Sequence, residues 1–213
     1  MLDRHTWLFD MDGTLVLTEP LHAAAFDKLL EEMLPAKRAS FDYARFRGMT
    51  TLDVGRALGV EGTQLKVFND RKRALYQELL AQAPDVLAPG ARALLQWLHA
   101  QGRQSYLVTG ASKSSVESIF DKTRISGYFE GCIHAEDVTH GKPNPEPYLL
   151  CIKRFGLSAR DCIAVEDSPA GVNSAKAAHL FTLGVGPHAQ GAADRQFESL
   201  QSIVNEIKIP SER

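Results

Sequence analysis

The chain has 213 residues, 44% of them hydrophobic and 23% charged, with a formal net charge of −2. That balance suits a folded chain with a sizeable core and room for a smaller second domain, and it excludes a disordered chain or a strongly basic nucleic-acid-binding protein. No apolar run approaches the roughly 18 residues of a membrane span, the opening MLDRHTW shows no secretory leader, and Cys132, Cys151 and Cys162 lack metal-ligand spacing, so a cytoplasmic protein with buried thiols is expected.

Trp7-Leu8-Phe9 reads as a short buried strand that ends in Asp10, Met11 and Asp12, with Gly13 and Thr14 breaking the pattern. Thr18 is placed to cap a helix whose apolar residues Leu21, Ala25, Leu29 and Met33 recur at helical spacing, with Pro35 ending it. Helical patterns continue over residues 41–46, 51–58 and 63–81, and no strand is predicted between 18 and 85. From residue 88 onward helix and strand alternate. Strands are predicted over 104–108, 131–134, 162–165 and 181–185. Helices are predicted over 91–100, 112–125, 145–155, 170–178 and 197–207. This alternation implies a parallel sheet with right-handed crossovers, to which the first strand belongs. Residues 1–17 and 83–213 then form an α/β core, and residues 18–82 form an inserted helical domain.

Polar residues cluster at the predicted strand ends, where open α/β sheets bind ligands. Asp10 and Asp12 follow the first strand, Thr109 and Gly110 the second, and Glu166 and Asp167 the fourth; Lys142 lies in a loop after the third. Two carboxylates so close repel, so a cation or a shared proton is expected beside them. Each residue also has a plain alternative: an acidic turn at Asp10, a helix-start hydroxyl at Thr109, a solvated loop lysine, and Asp167 or Ser168 as a helix cap. Together they fit phosphoryl transfer. Asp10 would attack phosphorus, Asp12 would protonate the leaving alcohol and later activate water, and Thr109, Gly110 and Lys142 would hold the phosphate. Carboxylates of Asp10, Asp167 and Glu166 would hold a hard metal such as Mg2+.

The stretches DMDGTL, TGAS, KPNPEPY and VEDSPAGV resemble the four motifs of the haloacid dehalogenase superfamily, and more narrowly its β-phosphoglucomutase-like phosphatase branch, over residues 5 to 207. The resemblance implies a Rossmann-like parallel-sheet core with an all-helical cap inserted after the first motif. It implies Asp10 as nucleophile, Asp12 as acid/base, Mg2+ held by Asp10, the Asp12 main chain, Glu166 and Asp167, and phosphate held by Thr109, Lys142 and the Gly110-Ala111 segment. His22, Lys72 and Arg47 fall where branch members contact substrate from the cap. This chain departs from the branch at Thr51, where the mutases carry a phosphate-gripping arginine, and at Leu17 and His179, where members often have Asp and Gly.

The expected activity is Mg2+-dependent hydrolysis of a small phosphate ester, a sugar or polyol phosphate, by a monomer or weak homodimer with no nucleic-acid or membrane partner. A β-phosphoglucomutase-type isomerase is the alternative. A non-catalytic phosphometabolite-binding or partner-binding member is a third reading, which the complete set of motif residues disfavours.

Overall fold

A computed structural model of the chain describes residues 4–46, 49–189 and 192–207. The apolar run at the N-terminus forms β1 (Thr6–Phe9), buried on both faces, with the Trp7 and Phe9 rings stacked 5.9 Å apart. After it the chain turns tightly, Gly13 N–H donating to Val16 O at 2.8 Å. It returns to this place later: Leu17 N–H donates to Val86 O and Ala88 N–H to Leu15 O, each at 2.8 Å. Between those points lies a compact unit, Thr18–Pro84, separate from the unit formed by residues up to Leu17 and from Asp85 onward.

The inserted unit is helical: α1 (Glu19–Met33), α2 (Pro35–Arg38), α3 (Thr51–Ala57) and α4 (Gly62–Gln82). Helix α1 buries Ala25, Phe26, Leu29 and Leu30, and α4 buries Phe68, Leu75, Tyr76 and Leu80. The two helices pack together, and Arg71 closes their edge with a bidentate pair to Glu32 at 2.7 Å. Pro35 ends α1 as expected but also starts α2, since proline suits a first helical turn. Thr18 occupies the N-cap of α1 without a side-chain cap bond, whereas Thr50 caps α3 by accepting from Asp53 N–H. Thr51 is therefore the first residue of α3.

The second unit continues with α5 (Ala91–Ala100), β2 (Gln104–Val108), α6 (Lys113–Thr123), β3 (Gly131–Ile133), α7 (Glu146–Phe155), β4 (Cys162–Glu166), α8 (Pro169–Ala177), β5 (Phe181–Val185), β6 (Arg195–Phe197) and α9 (Leu200–Glu206). The strands form one parallel sheet in the order β3-β2-β1-β4-β5-β6. Helix α9 was predicted to begin at Phe197, but Arg195–Phe197 is an edge strand and Ser199 caps the helix. Three residues, two of them polar, give no period to read.

His179 has φ of 60°, the left-handed conformation. It follows α8 at the position where His179 N–H reaches Lys176 O and Leu180 N–H reaches Ala175 O, a Schellman termination that glycine serves best. His179→Gly is expected to raise stability by about 1 kcal/mol, read as a higher denaturation midpoint with unchanged denaturant slope. A lower midpoint would contradict this account of the position.

Candidate active site

The strand order puts β1 between β2 and β4, so the segments after these three strands are neighbours. Phe9 is in register with Leu107 and with Val165. Asp10 continues the β1 ladder, its N–H donating to Val165 O at 3.0 Å, and its side chain is largely buried. Lys142, 132 residues away in sequence, reaches into this place. Its ammonium lies 2.7 Å from Asp10 Oδ1, 2.6 Å from Glu166 Oε1 and 2.8 Å from Val108 O. Two of its N–H groups donate hydrogen bonds, to Asp10 and Val108, and Glu166 is held as an ion pair. The loop carrying Lys142 is tied down on both sides. The Glu146 carboxylate accepts from Thr139 N–H at 2.7 Å and His140 N–H at 3.0 Å, and Ser174 Oγ donates to Asn144 O at 2.6 Å.

Glu166 is fully buried. Its Oε1 accepts from the Tyr148 hydroxyl at 2.5 Å, and its Oε2 has no hydrogen-bond partner among the described residues. That orphan oxygen lies in a notch left by Gly171, where a Cβ would stand 1.8 Å away. Asp167 has a similar berth against Gly13, whose φ is +88° and whose Cβ would stand 2.1 Å from Asp167 Oδ2. Two glycines thus make room for two carboxylates, and alanine at either would displace one. The cap of α8 is Ser168, which accepts from Gly171 N–H; neither acid is spent on capping.

Ligand oxygens of Asp10, Glu166 and Asp167 lie within 4.8 Å of one another. Mg2+ with oxygens at about 2.1 Å spans about 4.2 Å between opposite ligands. The cluster offers hard oxygen donors close together, and a Glu166 Oε2 without a hydrogen-bond partner among the described residues fits such an ion. The turn that carries Asp12 is fixed on both sides, by Val16 N–H to Met11 O at 3.0 Å and Gly13 N–H to Val16 O.

Charge in the cluster is unbalanced, since three carboxylates share the Lys142 ammonium. Burial, and then the nearby Asp10 charge, push Asp167 up from 3.8 to about 7. Burial also raises Glu166, with Asp10 adding to it and Lys142 opposing. Burial alone would lower the Lys142 ammonium, but Asp10 and Glu166 outweigh it and hold Lys142 above its ordinary value. Because Asp167 binds its proton more tightly folded than unfolded, folding takes up a proton between pH 3.8 and about 7. Its contribution to stability is full below that window and is lost as pH rises through it. Asp167→Asn cannot ionise. Without metal, the Tm of this variant minus that of the wild type should therefore grow from about pH 4 to about pH 7 and then level off. His22, lowered to about 3 chiefly by burial, acts in the opposite sense but is common to both proteins and cancels. A Tm difference that stays flat across the window would contradict the assignment.

Thr109 follows β2, its N–H donating to Ile133 O at 2.9 Å and its side chain buried. The Ala111 N–H donates to Thr109 Oγ1 at 3.0 Å, which leaves the Thr109 hydroxyl hydrogen as the donor at that point. Gly110 is exposed, and Ser112 rather than Thr109 caps α6.

In the helical unit, Lys72 is buried and its ammonium lies 2.6 Å from His22 Nδ1 and 5.1 Å from the centres of the Phe26 and Tyr76 rings. The His22 ring stacks on Tyr76 at 4.3 Å. An ammonium only donates, so Nδ1 accepts and the His22 proton sits on Nε2. The neighbours of Lys72 on α4 face other ways: Lys72 turns inward while Arg71 pairs with Glu32 and Arg73 lies 3.8 Å from Asp70. Arg56 pairs with Asp53 at 2.7 Å. Arg47 lies outside the described residues.

A family model for haloacid dehalogenase-like hydrolases matches residues 5–179. The chain belongs to the haloacid dehalogenase-like hydrolases. A phosphoglycolate phosphatase of Pseudomonas putida is 30% identical over 84% of this chain and 68% of its own length. The fructose-1-phosphate phosphatase YqaB of Escherichia coli is 28% identical over 87% of this chain and 98% of its own. Among solved structures, CbbY from Rhodobacter sphaeroides, crystallised in complex with phosphate, superposes with a TM-score of 0.81 over 94% of this chain and 96% of that one, at 22% identity. The hydrolase thus has the parallel-sheet α/β fold of these proteins.

Sequence reasoning missed three features of this hydrolase site: the Tyr148 hydroxyl, the Gly171 notch and the Glu146 clamp. KPNPEPY did contain Glu146 and Tyr148, but their spacing from Lys142 reads equally as a helix start with an apolar face. Among the described residues no helix is long and apolar enough to cross a membrane.

Proposed function

We propose that this hydrolase is a Mg2+-dependent phosphatase of small phosphorylated metabolites, of the sugar or polyol phosphate class, working through a phosphorylated Asp10. The observation that carries this reading is the Asp10 carboxylate itself: it stands at a central strand end, one oxygen held at 2.7 Å by a buried ammonium, beside two further acids. The name of the fructose-1-phosphate phosphatase relative supports a sugar phosphate, and that of the phosphoglycolate phosphatase supports the broader class of small phosphorylated metabolites.

Lys142 fixes the orientation of Asp10 for attack. An Asp10 oxygen bonds to phosphorus as the ester oxygen leaves, and Asp12 gives that oxygen its proton. The Thr109 hydroxyl and the Gly110 amide hold the phosphoryl oxygens. Asp12 then takes a proton from water, which attacks phosphorus, so that inorganic phosphate leaves and Asp10 is restored. Asp10, Glu166, Asp167 and the main chain of Asp12 would hold Mg2+, which when bound offsets the charge between an anionic nucleophile and an anionic substrate. By the resemblance, His22, Lys72 and Arg47 are the candidates in the helical unit for contact with the leaving group.

Phosphate release from a panel of sugar, polyol and short acid phosphates, with and without Mg2+, tests the proposal. It predicts steady release that depends on Mg2+. Isomerisation of a sugar 1-phosphate with little phosphate released would favour a mutase instead, and no turnover of any ester would leave only a binding role.

A further inference from the structure

Tyr148 lies in the first turn of α7, fully buried, with its ring among Leu8, Tyr106, Val108, Cys151 and Ala164 beneath β1, β2 and β4. A phenylalanine would fill that space without a polar atom to desolvate. The hydroxyl instead donates at 2.5 Å to Glu166 Oε1, the oxygen that pairs with the Lys142 ammonium at 2.6 Å, and the ring face stands 5.4 Å from that ammonium. One side chain thus touches both members of the ion pair that orients Asp10. With Oε1 held by the Tyr148 hydroxyl and paired with Lys142, Oε2, which has no hydrogen-bond partner among the described residues, lies against Gly171.

We propose that Tyr148 is a positioning residue of the active site: its hydroxyl fixes the Glu166 carboxylate so that Lys142 sits between Glu166 and Asp10 and the acid cluster is aligned for its cation. Outer-layer hydrogen bonds orient metal-binding groups, and removing one typically changes affinity or activity about 10–100-fold. A tyrosine that only fills the core would owe its effect to ring volume, which phenylalanine keeps. A tyrosine that positions Glu166 owes it to the hydroxyl, and only while Glu166 is there to accept.

The inference rests on the phosphatase reading for its kinetic arm, and a second arm is independent of it. In calorimetry with Mg2+ and no substrate, Tyr148→Phe is expected to bind Mg2+ about 10-fold more weakly than the wild type. In turnover, kcat is expected to fall about 10-fold with KM for the ester within about 2-fold, as for a residue that never touches substrate. In a Glu166→Ala background, where no side-chain oxygen is left to accept from the Tyr148 hydroxyl, the same change should cost less than about 2-fold in either measurement. Equal Mg2+ affinities for wild type and Tyr148→Phe, an undiminished penalty in the Glu166→Ala background, or no Mg2+ binding by the wild type would overturn the proposal. A wild type that binds Mg2+ but releases no phosphate would overturn the phosphatase reading alone, and the calorimetric comparison would still decide the role of Tyr148.

Discussion

Asp10→Asn is expected to lower phosphate release from every ester by about four orders of magnitude or more, with no loss of thermal stability. The kinetic part follows from chemistry. An amide oxygen is a poor nucleophile toward phosphorus, and enzymes that lose a covalent nucleophile fall close to the rate left by binding and electrostatics alone. The stability part follows from the cluster. Asp10 is one of the charges that raise both Glu166 and Asp167, so removing it relieves repulsion among buried acids. Asn still offers an oxygen to the Lys142 ammonium, and Lys142 keeps Glu166 as a charged partner. A variant that unfolds at lower temperature would mean that Asp10 is a structural member of the ion pair first. One that keeps more than about 1% of wild-type kcat would mean that another group attacks phosphorus.

Lys142→Met has the second large effect and a different signature. It takes the ammonium away from two carboxylates, one of them fully buried, and leaves Val108 O without its donor. Breaking a buried pair by removing one partner costs about 3–5 kcal/mol, which for a chain of this size lowers Tm by roughly 6–20 °C. Turnover should fall about 1,000-fold, since Asp10 loses its orientation and the phosphate its nearest fixed cation. Mg2+ should recover part of the lost Tm, because it supplies positive charge to the same acids, but little of the turnover. A Tm unchanged without metal would contradict the geometry, in which three acceptors converge on this one ammonium.

Legibility of the chain divides along physical lines. Strands β1, β2, β4 and β5 are buried on both faces, so WLF, YLV, IAV and LGV stand out as apolar runs and their polar successors mark the strand ends. The edge strand β6 has no such run and was read as the start of a helix. At the site, residue types and order pointed to Asp10, Lys142, Glu166 and Asp167, and the sheet order explains why residues 132 positions apart meet. The direction in which an oxygen points was not legible: the notches at Gly13 and Gly171 and the turn of Ala111 N–H onto Thr109 depend on side-chain and peptide orientation. In the helical unit a signal was present but not used. Phe68, Lys72, Leu75 and Tyr76 share one helical face, so Lys72 belonged with the apolar stripe and not with Arg71 and Arg73.

The central claim is that Asp10 becomes phosphorylated during turnover. The most direct test is to quench the enzyme in acid during steady turnover of a sugar phosphate, reduce it with borohydride, and map the peptides by mass spectrometry. Reduction of an aspartyl phosphate leaves homoserine, so the account predicts homoserine at residue 10, dependent on substrate and absent from Asp10→Asn. Phosphate release with Asp10 unmodified, or with homoserine at another position, would contradict it.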